Sequence, residues 1–314
     1  MGTPFVFLAF FCTLSLYFAI IDGIPTTIAG KSIPSNDDLI DLIEVLSRVK
    51  FLLYTQKDPK GYNLKFLDAQ NLSNSTWNST KHTKFITHGW LDNGYSTPCA
   101  KIRNAFLTAG DFNVIVIDWE PIATDFYFKA KASIPGVAKY VAKFLNFINA
   151  IGGLDFDETL LVGHGLGAHL ISLSAKYADG KIGQVLGLDP VRRGYSDADE
   201  NTRIDKSHAE YVQVIHTSSG KLGLDGNFGT SDFIVNGGKS QPGCGYLDIF
   251  GDCAHAQSYE YYAESILNAN GFKGTRCSEF TSCLTANMGG PTLDTSAVGV
   301  YEVTTASTPP YALG

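Results

Sequence analysis

Short apolar runs alternate with helical patterns along most of the chain. The runs are rich in Val, Ile, Phe and Tyr and are bounded by Gly, Asp, His or Pro, which is typical of buried strands. Between them, Val137, Val141, Phe144 and Ile148 fall on one face of a predicted helix, and a second helix is predicted over 166–177. This alternation predicts an α/β fold with a mostly parallel central sheet and helices on both faces. The predicted strands are 51–54, 84–86, 114–117, 159–162, 182–188, 211–215 and 300–304.

The composition fits one large globular domain. Of the 314 residues, 44% are hydrophobic and 18% are charged, which is not the composition of a disordered chain. No internal repeat or long linker interrupts residues 49–314, and this range is predicted to form one domain. The chain has 24 Lys and Arg against 31 Asp and Glu. This acidic balance argues against a nucleic-acid-binding protein, which needs clustered positive charge.

The chain begins with an apolar segment. Residues 5–21 contain no charged side chain, and Asp22, Gly23 and Pro25 follow directly. This pattern predicts a signal peptide over 1–23, then an N-terminal segment over 24–48, and therefore a secreted, extracellular protein. The alternative is a membrane anchor, but the run is shorter than the roughly 20 residues that a membrane-spanning helix needs. We therefore expect no transmembrane span in the mature protein.

A polar stretch carries three glycosylation sequons, at Asn71, Asn74 and Asn78. Single sequons are common by chance, whereas three together indicate an exposed loop in a secreted protein. This stretch therefore supports the extracellular prediction.

The chain has six cysteines, one of which lies in the predicted signal peptide. Of the other five, close spacing favours two bridges that each close a short loop. Cys99 is then free or pairs between chains. A metal site is the weaker interpretation, because no CxxC pair occurs and a secreted chain favours disulfides. The predicted bridges are Cys244–Cys253 and Cys277–Cys283.

The segment 159–169 carries the most informative motif, an apolar strand that enters a Gly-rich turn and opens a helix. This is the setting of a nucleophile elbow, G-x-S-x-G, in which Gly163 and Gly167 are the outer glycines and Gly165 is at the nucleophile position. The rival interpretation is a phosphate-binding turn. It fits less well, because the sequence does not complete G-x-G-x-x-G: Gly167 and Ala168 are followed by His169.

Candidate partners follow downstream in the order nucleophile, acid, histidine that this type of site requires. Asp189 follows the next predicted strand and would orient an imidazole, although it also suits a turn before a proline. Three histidines are candidates for the base. His216 ends an apolar strand and His208 lies in a charged stretch, which makes both less suitable. His255 is favoured, and it is predicted to lie on a loop before a helix at 259–267.

Upstream, residues 84–90 form a strand followed by a small turn, His-Gly-Trp. In an elbow-type site this turn supplies one backbone N–H to the oxyanion hole, and the residue after the elbow supplies the other. Trp90 and Leu166 are the candidates. The alternative is that His88 and Trp90 only close a loop over the core.

Taken together, these segments resemble the pancreatic-type lipase family of secreted α/β hydrolases, especially its insect members, phospholipases A1 and dipteran yolk proteins. The resemblance rests on FLLYT, HGW, VIVIDW, GHGLGAH, GLDP, VIHT, DFIVNGG, QPGC and CAHAQSYEYYAESI, which cover most of the mature chain. It implies an α/β-hydrolase fold with a short disulfide-closed lid between Cys244 and Cys253, and without the C-terminal β-sandwich of the larger lipases. It also implies a calcium loop at Glu200, Arg203 and Asp205. His208 replaces a further acidic ligand, so this loop is degenerate and no metal or other cofactor is expected.

The decisive departure from the family pattern is Gly165, where the resemblance implies a serine. Glycine has no hydroxyl for a base to activate, so no acyl-enzyme can form. Ser172 and Ser174 lie about 10 Å or more along the helix and cannot take its place. Glycine at this position also has a parallel in the family, because the yolk proteins resemble lipases with the same change.

Three functional hypotheses follow. The favoured one is a secreted, catalytically inactive protein that binds an acyl lipid or another hydrophobic ligand, as a storage or carrier protein, with transient contact to a lipid surface. The alternative is a carboxylic ester hydrolase of the phospholipase A1 or neutral-lipase type, supported by the retained Asp189 and His255. A protein-binding module is the third, and no sequence feature supports it specifically.

Overall fold

A computed structural model describes residues 48–278 and 281–314. The predicted signal peptide and most of the predicted N-terminal segment lie outside the described residues. Within the described ranges, no helix is long and apolar enough to cross a membrane.

The described part of the chain contains a sheet of eleven strands in the order β10-β9-β11-β8-β7-β6-β5-β3-β4-β1-β2. The seven adjacent strands from β11 to β4 in this order are parallel to one another. Strands β1 and β2 at one edge of the sheet, and β9 and β10 at the other, pair antiparallel. The strands are β1 Lys50–Tyr54, β2 Tyr62–Leu64, β3 Thr83–Thr87, β4 Asn113–Asp118, β5 Thr159–His164, β6 Gln184–Leu188, β7 Tyr211–His216, β8 Ser231–Val235, β9 Lys273–Ser278, β10 Thr281–Asn287 and β11 Gly299–Val303.

Helices cover both faces of the sheet. On β5, Leu161 packs into the core on one side with α4 (Tyr127–Gly152) and α5 (Leu166–Tyr177). Leu160 and Val162 pack on the other side with α2 (Thr97–Ala109) and α6 (Asp252–Leu267). Parallel strands buried on both faces read as continuous apolar runs, which is why the sequence pattern revealed them. The helices are α1 Ala69–Ser73, α2 Thr97–Ala109, α3 Glu120–Ala123, α4 Tyr127–Gly152, α5 Leu166–Tyr177 and α6 Asp252–Leu267.

This architecture confirms the predicted α/β-hydrolase fold. Helix α5 has the predicted bounds, and α4 extends ten residues before Val137, through Pro135. It ends at Gly152 and is capped by Gly153, whose φ of 67° suits glycine after a helix C-terminus. Strand β6 begins two residues later than predicted, at Gln184, because the Gly183 N–H donates to the Phe156 carbonyl.

One local prediction is wrong: His255 does not lie on a loop. It lies in the first turn of α6, which begins at Asp252. The Asp248 carboxylate accepts hydrogen bonds from the backbone N–H groups of Cys253 and Ala254 at 3.0 Å each. These bonds satisfy two donors that a helix N-terminus leaves without intrahelical partners, and so the helix starts early.

Candidate functional site

The turn between β5 and α5 has the backbone of a nucleophile elbow. Gly165 has φ 57° and ψ −115°, a conformation that residues with a Cβ adopt only under strain. A Cβ on Gly167 would lie 2.3 Å from the His88 carbonyl oxygen, so the second outer glycine is needed for the close approach of strand and helix. The elbow geometry therefore remains although the chain has glycine at its apex.

Asp189 and His255 form a hydrogen-bonded pair beside the elbow. Asp189 follows β6, is fully buried and has a positive φ of 43°. Its Oδ2 lies 2.5 Å from His255 Nδ1. Its Oδ1 accepts from the backbone N–H groups of Thr217 and Ser218 at 2.8 and 2.9 Å, and the Ser218 hydroxyl donates to Oδ2. The bonds from Thr217 and Ser218 therefore position the carboxylate that holds His255 Nδ1.

Burial alone would raise the pKa of Asp189, but the hydrogen bonds from His255, Ser218 and Thr217 hold that pKa below its ordinary value. The carboxylate is therefore ionised when it orients His255. A buried carboxylate on Nδ1 keeps the other ring nitrogen, Nε2, directed outward. The pair is thus suited to hold or move a proton at Nε2.

His255 Nε2 faces the apex of the elbow. A Cβ built on Gly165 would lie 2.9 Å from this nitrogen. The imidazole is therefore directed at the point where a nucleophile would be attached, and glycine places no reacting atom there.

The two helix serines are engaged elsewhere. The Ser172 hydroxyl is hydrogen-bonded to His208 Nδ1 at 2.9 Å, and the Ser174 hydroxyl donates to the Leu170 carbonyl at 2.8 Å. Both serines are buried. Neither supplies a hydroxyl to the elbow.

The sheet also separates the three candidate histidines. His216 Nε2 pairs with Asp232 at 2.8 Å and His208 pairs with Ser172, so each has its own partner away from Asp189. Only His255 of the three is placed against Asp189. This selection depends on strand order, because 66 residues separate the two partners along the chain.

The His-Gly-Trp turn lies directly against the elbow. A Cβ on Gly89 would lie 3.8 Å from the Leu166 nitrogen and 3.2 Å from the His164 carbonyl oxygen. Leu166 is the first residue of α5, so its N–H has no partner within the helix. The indole of Trp90 donates to the Asp125 carbonyl at 2.8 Å, which holds this turn in place. The two candidate oxyanion residues are thus neighbours across the elbow.

Sequence reasoning missed His164, which lies inside the motif one residue before the elbow. It is 7% exposed, and its Nδ1 has no hydrogen-bond partner within the described residues. Its ring centroid lies 4.3 Å from that of His255. Burial, together with the neighbouring His255, lowers the pKa of His164 to about 3, so its ring is neutral. Its position between two glycines was the only available sequence signal.

A shallow groove of about 270 Å³ adjoins the His-Gly-Trp turn at Trp90. It includes apolar side chains that are well exposed: Trp90 is 40%, Leu91 59% and Phe126 86% accessible. Its polar lining comes from Thr124 and Asp125.

The loop before α6 is closed by the disulfide Cys244–Cys253, and Cys277–Cys283 joins β9 to β10. Both bridges agree with the predicted pairing. In the described ranges Cys99 is the free cysteine, and it is buried. Four large apolar side chains of the 244–253 loop are exposed to solvent: Tyr246, Leu247, Ile249 and Phe250.

The residues at the implied calcium loop do not fit that ion. Glu200 is exposed, and Asp205 Oδ2 lies 3.5 Å from Arg203 Nη1 while Oδ1 accepts a backbone N–H. His208 is buried and hydrogen-bonded to Ser172. Calcium takes six to eight oxygen ligands, but here one carboxylate is paired with a guanidinium and the next position carries an imidazole. We therefore assign no role to calcium.

The sequons lie around α1 and the following turn. Asn74 is exposed, whereas Asn71 and Asn78 are half-buried. The Asn71 amide donates to the Tyr62 hydroxyl and its Oδ1 accepts from the Lys65 N–H. Asn74 is therefore the most accessible of the three amides.

Comparison with known proteins places these features in context. A family model described as Lipase matches residues 36–289. The pancreatic triacylglycerol lipase of Myocastor coypus is 32% identical in an alignment over 254 residues that covers 74% of this chain and 56% of that protein. The human pancreatic triacylglycerol lipase is also 32% identical, in an alignment over 259 residues that covers 76% of this chain and 56% of that protein. Pancreatic lipase-related protein 2 of Myocastor coypus is 31% identical and covers 80% of this chain and 56% of its own length.

The chain thus spans a little over half the length of these relatives. Among solved structures, a carboxylesterase from Mesorhizobium loti is 16% identical with a TM-score of 0.32, covering 46% of this chain and 71% of that chain. An α/β hydrolase from a deep-sea metagenome, MGS-M1, has the same identity and TM-score and covers 52% of this chain and 65% of that chain. Likeness at this level supports no statement about function.

Proposed function

The chain belongs to the lipase family, and on that premise we propose that it binds an acyl lipid without hydrolysing it. One observation carries the proposal: His255 Nε2 is directed at the elbow apex, where Gly165 has no side chain. We assign Asp189 and His255 as the acid and base of the former site, and Trp90 and Leu166 as its oxyanion residues. We therefore propose a lipid-binding site without a nucleophile.

The residues that remain around the elbow can bind an ester, whereas the absent serine side chain is the group that would react with it. Ester hydrolysis through an acyl-enzyme needs an oxygen or sulfur atom that a base can activate, and removing it costs about 10⁶ in turnover. The backbone N–H groups of Trp90 and Leu166 would still receive a carbonyl oxygen. The groove beside Trp90 and Phe126 offers apolar surface for an acyl chain.

We further propose that the protein is secreted and acts as a carrier or storage protein. Two disulfides support an oxidising compartment, and the sequons and the apolar N-terminal run agree with it. The exposed apolar side chains of the 244–253 loop would serve as a lid that contacts a lipid surface transiently.

The alternative, a slow ester hydrolase of the phospholipase A1 or neutral-lipase type, is favoured by the intact pair of Asp189 and His255. In that case His255 Nε2 would remove a proton from a water at the vacated position while the water oxygen attacks the ester carbonyl. The acyl C–O bond would then break, and the imidazolium would return the proton to the departing alkoxide. No covalent intermediate would form. Its rate would depend on His255 and would be far below that of a serine enzyme.

A paired assay on the secreted protein separates the two functions. Hydrolysis of a triacylglycerol and of a phosphatidylcholine is measured beside binding of a fluorescent acyl ester. His255→Ala removes the base, and His82→Ala is the matched control, because His82 is half-exposed and pairs with Glu158 away from the elbow. We expect binding without turnover in all three proteins. Turnover that disappears in His255→Ala and persists in His82→Ala would establish the hydrolase instead, and absence of binding would reject the proposed function.

A further inference from the structure

We propose that the segment 190–205, which follows β6 and packs against α5, is a strap that opens when His169 takes up a proton and closes when lipid binds. The response to lipid rests on the proposed function, whereas the response to acid stands on its own. Both follow from the hydrogen bonds that attach this strap to the rest of the protein.

His169 holds the strap near both of its ends. The residue lies in α5 and is fully buried. Its Nε2 lies 2.8 Å from the Val191 carbonyl oxygen, and its Nδ1 lies 3.1 Å from the Ile204 nitrogen. A carbonyl only accepts and a backbone N–H only donates, so Nε2 carries the ring proton and Nδ1 carries none. The geometry therefore requires a neutral ring in one tautomer.

A proton on Nδ1 is incompatible with the closed strap. The new N–H would face the Ile204 N–H, so two buried donors would meet without an acceptor. Ile204 is fully buried, and Tyr195 of the strap stacks on the His169 ring with the ring centroids 3.7 Å apart. The imidazolium therefore forms when the strap leaves α5 and the ring reaches water.

The cations around His169 also oppose a proton on its ring. Arg203 faces it from the strap, and Lys131 faces it from α4. Burial lowers the pKa of His169 to about 3, and both cations add to this effect. One turn along α5, Ser172 is bonded to the next imidazole, His208, at 2.9 Å. The closed strap thus stabilises the neutral form of His169.

The strap is bonded to both parts of the proposed lipid site. At the elbow, the Val191 N–H donates to the Gly165 carbonyl at 3.2 Å. Beside the groove, the Tyr127 hydroxyl donates to the Arg193 carbonyl at 2.6 Å, and the Tyr127 ring packs edge-on against Trp90 with the centroids 5.3 Å apart. Opening removes these contacts from the elbow and from the groove wall. A lipid in this site therefore favours the closed strap.

Proton linkage gives the size of the acid response. In the open strap the imidazole is in water and titrates near its ordinary pKa of 6.5, whereas in the closed strap its pKa is about 3. At pH 5 the proton therefore raises the ratio of open to closed strap by about 30-fold over its value at neutral pH. A ligand that binds only the closed form, at 100 times its Kd, lowers this ratio by about 100-fold. Acid and lipid thus act in opposite directions.

Hydrogen exchange at the Ile204 amide of the full mature chain tests the inference, with protection factors corrected for the intrinsic pH dependence of exchange. We expect protection at pH 5.0 to be about 30-fold lower than at pH 7.5. His169→Asn keeps an acceptor oxygen for the Ile204 N–H but cannot titrate, so this dependence should disappear. His82→Ala is the matched control and should retain it, because His82 is half-exposed and pairs with Glu158. At pH 7.5, the fluorescent acyl ester at 100 times its Kd should raise protection about 100-fold.

The outcomes separate the strap from the proposed function. Equal protection at both pH values, or a pH dependence that is unchanged in His169→Asn, would overturn the acid response. Where His169→Asn does not fold, the nitrogen chemical shifts of the His169 ring in the wild type decide, since a ring that titrates near pH 6.5 with unchanged Ile204 protection would overturn it. Protection that bound acyl ester leaves unchanged would overturn the response to lipid. Failure of the acyl ester to bind would reject the proposed function, and the comparison of the two pH values would still decide the acid response.

Discussion

Replacing Gly165 by serine is the most informative perturbation of this protein. The new Cβ would lie 2.9 Å from Nε2 and 3.4 Å from Cε1 of His255. Carbon and nitrogen atoms in contact lie about 3.5 Å apart, so the ring must retreat by roughly 0.5 Å. The His255 side chain is 16% exposed and held mainly by Asp189, which allows such a movement.

The stability cost can be worked from the backbone. Gly165 has a positive φ of 57°, and a residue with a Cβ there costs about 1 kcal/mol or somewhat more. For a domain of this size, that corresponds to a fall of about 2–4 °C in Tm. Gly165→Ala carries the same backbone cost without the hydroxyl and is the matched control.

The gain in activity has an upper limit of about 10⁶, the effect of a catalytic nucleophile. Misplacement of a reacting group by about 1 Å can cost about 10²-fold, so we expect Gly165→Ser to hydrolyse a short-chain ester about 10⁴-fold faster than the original chain. The assay is release of fatty acid at fixed pH. Gly165→Ala and the double variant Gly165→Ser with His255→Ala should remain at background.

A clear result would refute this reasoning. If Gly165→Ser folds with the expected small loss in Tm and yet remains as inactive as Gly165→Ala, the pair of Asp189 and His255 is not positioned to activate a hydroxyl. The elbow would then have lost more than its nucleophile.

Three further predictions concern stability. Burial lowers the pKa of Lys84 in the folded protein to about 8, below its value of 10.5 in the unfolded chain. Between these two pH values the unfolded chain binds a proton at Lys84 that the folded protein has released, so the free energy of unfolding rises with pH. Lys84→Met should therefore raise the free energy of unfolding by about 3 kcal/mol at pH 7 and by about 1 kcal/mol at pH 9.5, in each case reduced by the loss of the cation–π contacts of Lys84. The measurement is denaturant unfolding at both pH values, and equal effects of the substitution at the two pH values would contradict the prediction. Calcium and a chelator should leave Tm unchanged within about 1 °C, since His208 occupies an acidic position of the loop; a calcium-dependent rise in Tm would reject that interpretation. Replacing Cys244 and Cys253 by serine should cost about 2–3 kcal/mol from loop closure, measured by denaturant unfolding against the oxidised wild type; an unchanged free energy of unfolding would contradict it.

Much of the fold could be predicted from the sequence because its signals are local. The buried strands appear as continuous apolar runs, and helix α5 appears as a turn-bounded apolar pattern. The elbow glycines and the order of Asp189 and His255 along the chain were equally visible. The two disulfides could be predicted because each joins cysteines that are close together in the sequence. Each of these features depends on neighbours in the chain.

What only the tertiary structure decided is which distant groups meet. Strand order brings His255 to Asp189 and sends His216 to Asp232, although all these residues follow similar local patterns. The same packing buries Lys84 and leaves His164 Nδ1 without a partner in the described residues. Sequence patterns report the periodicity of one segment, whereas hydrogen-bond partners and burial depend on how many segments pack together. The sequence therefore determined that glycine stands at position 165 between two further glycines, and the tertiary structure decided that His255 faces it.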